Sequence, residues 1–316
     1  MPRLVLLSGL PASGKSTLAR KLVDDSGNMV RVNRDTLRQL LFNGKWTGPR
    51  EGVIKEAERA LARVALGKKL SVVIDDTNLR DGNLVSWKQF ADINGATFEH
   101  MPVDTPLEEC LRRDFEDHMD TDFNFRSAVG PAVIYRMAVE SGKLKFTKPI
   151  VVFDLDGTLC DVKNRLRFIK NCKHCGGSKE GHPTEGTPHA SCTNFAKDWD
   201  GFFREVRNDP PRIGVVKWAQ AIYNSDEYHV VIFSGRNDKT QWDTAEWLDK
   251  HGVKYDCLLM RRGSDHRLDT EVKLDMLKML PRELVAFAVD DRPMMIAAWR
   301  SWGVKLYPVT DTNEDY

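Results

Sequence analysis

Short β-rich runs punctuate the first half of the chain at Leu4–Leu7, Met29–Val32, Ser71–Ile74 and Phe98–Val103. Runs this short and apolar predict strands buried on both faces. Between them the hydrophobic positions change period. Val53, Ala57, Leu61, Val64 and Ala65 recur at helical spacing and predict one apolar helix face. Strand and helix patterns that alternate in this way imply a parallel sheet covered by helices. The alternation breaks at Ser141–Pro149, a basic stretch carrying Gly142 and Pro149. A second β/α series then follows: Ile150–Phe153, Tyr228–Phe233, Cys257–Met260, Val285–Val289 and Val304–Tyr307. The pattern therefore predicts an α/β chain of two domains, residues 1–146 and 149–316. Residues 171–198, rich in Cys, His, Gly, Thr and Lys and without periodicity, read as an insertion in the second.

Composition narrows the classes. A length of 316 residues suits two domains, and 41% hydrophobic with 29% charged residues suits ordinary globular cores. The net charge of +1 argues against a wholesale polyelectrolyte binder, so nucleic-acid contact would run through a local basic groove. No apolar run approaches the roughly 18 residues of a membrane span. The run at Met1–Leu7 stops at Ser8 and Gly9, short of an export signal. Three of the six cysteines fall between 172 and 192, which in a reducing compartment such as the cytoplasm points to metal rather than disulfides.

Gly9-Leu10-Pro11-Ala12-Ser13-Gly14-Lys15-Ser16 matches G-x-x-x-x-G-K-[ST], between a strand and a helix that opens at Thr17. Glycines let backbone N–H groups turn toward a phosphate, and the helix N-terminus adds positive potential. Lys15 would neutralise the β/γ oxygens of ATP and Ser16 would hold Mg²⁺, with Gly9, Ser13, Gly14 and Thr17 completing the cradle. Asp35 follows the second strand, where α/β sheets collect ligands. It suits a general base for an attacking hydroxyl, but a plain helix N-cap is the stronger reading of that segment alone. Arg38, three residues on, shares its helix face and could clamp a phosphate of the acceptor. Asp75 and Asp76 end the third strand, and Arg112, Arg113 and Arg126 flank the polar stretch Asp114–Asn124 like a lid.

The second series opens with Asp154-Leu155-Asp156-Gly157-Thr158-Leu159 after an apolar strand. Carboxylates at i and i+2 leave a strand on one side, so one can attack phosphorus while the other protonates the leaving oxygen. Ser234 and Arg236 follow a later strand and could hold phosphate. Lys273 lies in a helical run and could neutralise the nucleophile. Asp290 and Asp291 end the strand Val285–Val289 and offer hard oxygens for Mg²⁺, alongside Asp154 and Asp156.

On these motifs the first half resembles the P-loop kinases that phosphorylate 5′-hydroxyl ends, and the second half resembles haloacid-dehalogenase-like phosphatases, whose fold is Rossmann-like. In this order they resemble the bacteriophage-type polynucleotide kinase-phosphatase family. That resemblance implies ATP and Mg²⁺ as cofactors and RNA or DNA ends as substrates. It implies phosphorylation of 5′-OH ends, hydrolysis of 3′-phosphates through an aspartyl-phosphate, and functional coupling to a ligase. It makes Asp35 the base, Arg38 the acceptor contact, and Arg126 with Arg113 the lid arginines. Asp154 becomes the nucleophile and Asp156 the acid/base, with Arg165, Ser234, Arg236 and Lys273 holding phosphate. It implies no membrane, places a phage-derived chain in the host cytoplasm, and leaves homo-oligomers and RNA-versus-DNA preference open. Here the lid stretch is longer and more acidic than the family's. A small-molecule kinase fused to a phosphatase, and a sensor with inactive domains, are the rival readings. The insertion is foreign to the family. Its Cys172, Cys175, His189 and Cys192 suit a structural Cys₃His zinc site, with His174 and His182 as alternative ligands to His189, and a disordered Cys/His-rich loop is the competing reading.

Overall fold

A computed structural model describes residues 1–45, 47–120, 128–176 and 195–309. Its contacts divide the chain into two units, Met1–Gly130 with Ser141–Lys143, and Pro131–Glu140 with Leu144–Tyr316. The first unit runs β1 (Arg3–Ser8), α1 (Lys15–Ser26), β2 (Met29–Val32), α2 (Arg34–Phe42), α3 (Gly48–Gly67), β3 (Ser71–Asp75), α4 (Asp81–Ile93), β4 (Thr97–Pro102) and α5 (Leu107–Met119). Its sheet has the order β2-β3-β1-β4, and every pairing is parallel. Alternate residues of β1 feed two cores. Leu4 and Leu6 join Ile54, Leu66, Trp87 and Phe90 of the helices on one face, while Val5 and Leu7 join Ala19 on the other. A strand covered on both faces reads as a continuous apolar run, which is why the sequence pattern locates it well.

The predicted face of α3 needs correcting. Val53, Leu61 and Val64 are exposed, and the buried stripe is Ile54, Glu58, Ala62, Ala65 and Leu66. The stripe is offset because one buried position holds a carboxylate. Glu58 points inward to Arg34 and Asp76, a polar partnership that an apolar count does not detect.

The second unit runs α6 (Pro131–Glu140), β5 (Ile150–Asp154), α7 (Lys163–Lys170), α8 (Trp199–Arg204), α9 (Ile213–Asn224), β6 (His229–Asn237), α10 (Gln241–Lys250), β7 (Cys257–Arg261), α11 (Asp269–Lys278), β8 (Val285–Asp290), α12 (Pro293–Ser301) and β9 (Leu306–Pro308). Its parallel sheet has the order β7-β6-β5-β8-β9. The sequence pattern puts α6 in the first domain, but its backbone N–H groups at Ala132 and Val133 donate to Gln241 Oε1 and it packs on β7. In both units the strand bearing the leading motif is central, so its C-terminal end opens between two neighbours, where such sheets hold ligands. Among the described residues, no helix is long and apolar enough to cross a membrane.

Candidate active sites

The first site begins where β1 ends. Leu7 lies level with Asp75 of β3, so the loop 9–14 and the Asp75-Asp76 pair leave the sheet side by side. Gly9 N–H donates to the Thr77 carbonyl at 3.0 Å. A side chain at Gly9 would meet Ser13 Oγ and the Val103 carbonyl, each at 2.7 Å, so the loop closes only over glycine. Gly14 takes φ +96° and starts α1 without a side-chain cap, leaving first-turn N–H groups to meet an anion. Lys15 Nζ bends back over the loop to the Leu10 carbonyl at 2.6 Å and to Ser13 Oγ at 3.3 Å. Burial lowers its proton affinity, with Asp75, Cys110 and Asp76 opposing. Ser16 and Thr17 follow in the first turn of α1. The guanidinium of Arg113 lies 3.5 Å from where a Gly14 Cβ would sit, which puts it over the cradle, and its Nε donates to Glu109 at 2.6 Å.

Asp35 is not the cap of α2. Asn33 is, its Oδ1 accepting from the Thr36 N–H at 2.8 Å while its Nδ2 binds the Asp75 carbonyl. The Asp35 carboxylate therefore projects from the first turn, 84% exposed, and pairs with Arg38. Arg38 is also held by Glu51 at 3.0 Å. Arg34 joins Glu51, Glu58 and Asp76, and Arg31 joins Asp75 at 2.6 Å. Burial and a hydrogen bond with Asp76 push Glu58 up to about 9, so it is a neutral acid at pH 7. A chain of alternating charge thus runs from Asp35 back to the end of β3. Arg126 lies outside the described residues.

The second site sits at the end of β5. Register puts Asp154 level with Phe233, so Ser234 follows beside it, and Phe153 level with Val289, so Asp290 arrives opposite. Oxygens of Asp154, Asp290 and Asp291, all buried, lie within 4.8 Å of one another. Lys273 Nζ, itself fully buried, reaches Asp154 Oδ1 at 2.6 Å and Asp290 Oδ2 at 2.9 Å. Thr158 Oγ1 donates to Asp291 at 3.2 Å. Burial, with the Asp290 and Asp291 charges and against Lys273, pushes Asp154 up to about 7. Its Oδ2 is buried without a hydrogen-bond partner among the described residues. An orphaned carboxylate oxygen beside two further carboxylates is the donor set of a hard divalent cation.

Asp156 is not part of that triad. Its Oδ1 is bound by Arg236 Nη2 at 2.6 Å, Arg236 Nε at 2.9 Å and Arg165 Nη2 at 2.7 Å. Arg165 and Arg236 therefore meet the Asp156 carboxylate, which lies apart from the Asp154, Asp290 and Asp291 oxygens. Both guanidiniums are essentially unexposed and are engaged by Asp156 and Asp209. Burial opposes ionisation of Asp156, but the two guanidiniums overcome it and hold the carboxyl well below its usual range. Ser234 is buried, with its Oγ accepting from the Arg236 N–H at 3.1 Å.

Two acids escaped the sequence reading. Asp209 accepts from Arg165 at 2.7 Å through both oxygens and from Arg236 at 2.8 Å. It precedes Pro210-Pro211 in a loop, with no motif to flag it. Asp269, one helical turn before Lys273, collects Arg261 at 3.0 Å, Lys273 at 3.6 Å and Arg292. Its i,i+4 spacing to Lys273 was a usable signal. Gly235 makes room for it, because a side chain there would meet Asp269 Oδ1 at 2.4 Å. Cys172 is buried and Cys175 exposed, in a turn closed by the Gly176 N–H on the Cys172 carbonyl at 2.8 Å. His189 and Cys192 lie outside the described residues.

Comparison with known proteins agrees with this geometry. Residues 4–116 match the AAA domain family, and residues 198–313 match the polynucleotide kinase PNKP phosphatase domain. A candidate bifunctional polynucleotide kinase/RNA ligase of Autographa californica nuclear polyhedrosis virus is 24% identical over 99% of this chain and 43% of its own length. An L-seryl-tRNA(Sec) kinase of Methanococcus maripaludis is 26% identical over 36% of this chain and 45% of its own. The chain thus spans less than half the length of these two relatives. A chain in the structure of a Pnkp1/Rnl/Hen1 complex aligns over 100% of this chain and 98% of its own, at 24% identity and a TM-score of 0.37. The chain therefore joins a P-loop kinase-type domain to a haloacid-dehalogenase-like phosphatase domain, and those two domain types imply ATP and Mg²⁺.

Proposed function

We propose that this chain heals nucleic-acid ends, phosphorylating 5′-OH termini with ATP in its first unit and hydrolysing 3′-phosphates in its second. The observation that carries the reading is the coexistence of two assembled phosphate sites in one chain. One is a Lys15 cradle beside an exposed carboxylate, and the other is a buried Asp154–Lys273–Asp290 core. Two ends of one strand break are the substrate that uses both, and a ligase is the enzyme that consumes the product.

In the first site the 5′-hydroxyl gives its proton to Asp35 as its oxygen bonds to the γ-phosphorus and the bond to ADP breaks. Asp35 suits this because Asn33 takes over capping and leaves the carboxylate exposed. Arg38, anchored by Glu51, stands one turn on to meet a phosphate of the acceptor. Arg113 lies over the cradle to meet charge that develops on the transferred group.

In the second site Asp154 attacks phosphorus and the 3′ oxygen leaves with a proton from Asp156. Water, deprotonated by Asp156, then releases phosphate from the aspartyl group. Lys273 orients Asp154 through Oδ1 and leaves Oδ2 without a partner. In the free enzyme Asp156 is ionised, so it must take up a proton first. The negative charge of an arriving phosphate monoester raises its pKa in the required direction. Asp154, Asp290 and Asp291 would hold Mg²⁺, which neutralises charge on the phosphoryl oxygens when bound. The Cys172–Cys175 turn, with His189 and Cys192, is proposed as a structural zinc site supporting the insertion.

Separating the activities tests the assignment. Asp35→Asn should cost the kinase roughly 10²–10⁴ in rate and spare the phosphatase. Asp154→Asn should abolish the phosphatase and spare the kinase. If either variant, still folded, loses both activities, the two-site assignment is wrong.

A further inference from the structure

The outer face of α7 and α8 is not used by the chemistry. Residues 162–176 contain Lys163, Arg165, Arg167, Lys170, Lys173 and His174 and no acid. Helix α7 turns Arg165, Leu166 and Ile169 inward, and Lys163, Arg167 and Lys170 face solvent. Lys173 continues the exposed basic run. The helix packs tightly on α8: Asp198 N–H donates to the Phe168 carbonyl at 2.8 Å, and Lys173 N–H to the Ala196 carbonyl at 2.7 Å. Helix α8 then presents Trp199 with 47% of its surface exposed. The Trp199 ring is stacked near-parallel to Phe203 with centroids 5.9 Å apart and edge-on to Phe202 at 5.7 Å, so it is held from behind. Lys197 Nζ sits 5.3 Å from the same ring, and Arg167 lies 4.7 Å from the Phe168 ring. The nearby acids are few and mostly engaged: Asp198 caps α8 and lies 3.9 Å from Lys173 Nζ, Asp161 accepts from the Lys163 N–H and lies 3.8 Å from Lys163 Nζ, Glu205 accepts from Asn208, and Asp200 is exposed beside Trp199. With Phe202 and Phe203 against it, Trp199 still keeps nearly half of its residue surface in solvent.

A supported, exposed aromatic beside a helix face of one charge sign is the combination that single-stranded nucleic acid uses. Bases stack on the ring and phosphates track the cations, each stacked base contributing about 1–3 kcal/mol. The same helix reaches the chemistry from its other side, where Arg165 donates to Asp156 at 2.7 Å and to the Phe202 carbonyl at 3.2 Å. A strand lying on this face is therefore one helix width from the phosphatase carboxylates.

We propose that the α7–α8 face, centred on Trp199 and the Lys163–Arg167–Lys170 row, binds the single-stranded segment that leads to the 3′-phosphate. This rests on the end-healing reading and names the surface that makes the phosphatase selective for a polynucleotide. The test compares wild type with Lys163→Ala/Arg167→Ala/Lys170→Ala and with Trp199→Ala. Hydrolysis of a 3′-phosphorylated single-stranded oligonucleotide should show KM raised about tenfold or more. A small aryl phosphate, which cannot reach the face, should keep its kcat/KM, and kinase KM on the same oligonucleotide should stay unchanged. Direct binding, followed by anisotropy of the labelled oligonucleotide, should lose about 0.7 per removed contact, roughly 2 in all, from the slope of log Kd against log salt. The charge-preserving set Lys163→Arg/Arg167→Lys/Lys170→Arg should restore both. Equal loss on oligonucleotide and aryl phosphate, or an unchanged salt slope in the Lys163→Ala/Arg167→Ala/Lys170→Ala variant, overturns the proposal. A wild type that binds the strand with the expected slope but leaves its 3′-phosphate intact overturns the end-healing reading instead and leaves the surface standing.

Discussion

Removing Asp209 should destabilise the second unit. Its two oxygens accept three charge-assisted hydrogen bonds, two from Arg165 and one from Arg236. The guanidiniums that donate them are 1% and 0% exposed. With Asp156, the four groups form a neutral cluster of two cations and two anions. Asp209→Ala leaves two buried cations facing one carboxylate, and breaking a buried pair in this way costs about 3–5 kcal/mol. At about 2–4 °C per kcal/mol for a unit of this size, the thermal transition of the phosphatase unit should fall by about 6–20 °C. Catalysis should change in a second, separable way. With both guanidiniums bearing on Asp156 alone, its proton is held still more loosely. The pH optimum for 3′-phosphate hydrolysis should therefore move to lower pH, while the kinase keeps its profile. The assay is differential scanning calorimetry of wild type and variant, followed by the pH–rate profile of each at a temperature where both are folded. A variant that melts within about 1 °C of wild type would refute the buried four-charge cluster.

Three further outcomes follow from the same geometry. Asp154 has its carboxyl pushed up to about 7 in the folded protein, so in the metal-free chain its contribution to stability is complete near pH 4 and is lost as pH rises through about 7. Mg²⁺ needs the ionised form, so titration should show Mg²⁺ affinity falling about tenfold per pH unit below about 7, and a flat affinity from pH 5 to 8 would contradict the site. Glu58, pushed up to about 9, should tolerate Glu58→Gln near pH 5. Because a raised acid stabilises only while protonated, wild type should lose stability relative to that variant as pH climbs toward about 9, and a constant difference in Tm would argue against a neutral Glu58. Protein purified without chelator should carry one equivalent of zinc, lost in Cys172→Ser/Cys175→Ser, whereas metal-free wild type would remove the zinc site from the account.

How much of this could be read beforehand depended on what each residue touches. The central strands β1 and β5 bury both faces, so their runs of Leu, Val and Ile announce them without any knowledge of partners. The loop after β1 and the Asp154–Asp156 spacing were legible because their chemistry fixes residue types at short separations. Long-range electrostatic partnerships were not. Asp209 acts on Asp156 across a loop, and nothing in Asn208-Asp209-Pro210 marks it as the counter-charge of two arginines. The partners of Arg165 and Arg236 were hidden for the same reason: an arginine near a phosphate motif does not show in the sequence which carboxylates it meets. On α3, a buried Glu58 shifted the helix face by one position. For Asp35 the competing reading as a helix cap was decided by Asn33 two residues earlier, whose side chain does the capping.

The most direct test uses a single-stranded oligonucleotide bearing a 5′-OH and a 3′-phosphate, incubated with the wild-type chain, Mg²⁺ and ATP labelled at the γ-phosphate. Label should appear at the 5′ end while unlabelled inorganic phosphate is released from the 3′ end of the same molecules. An oligonucleotide recovered with both ends unchanged, under conditions where a nucleoside or a small phosphate ester is turned over, would contradict it.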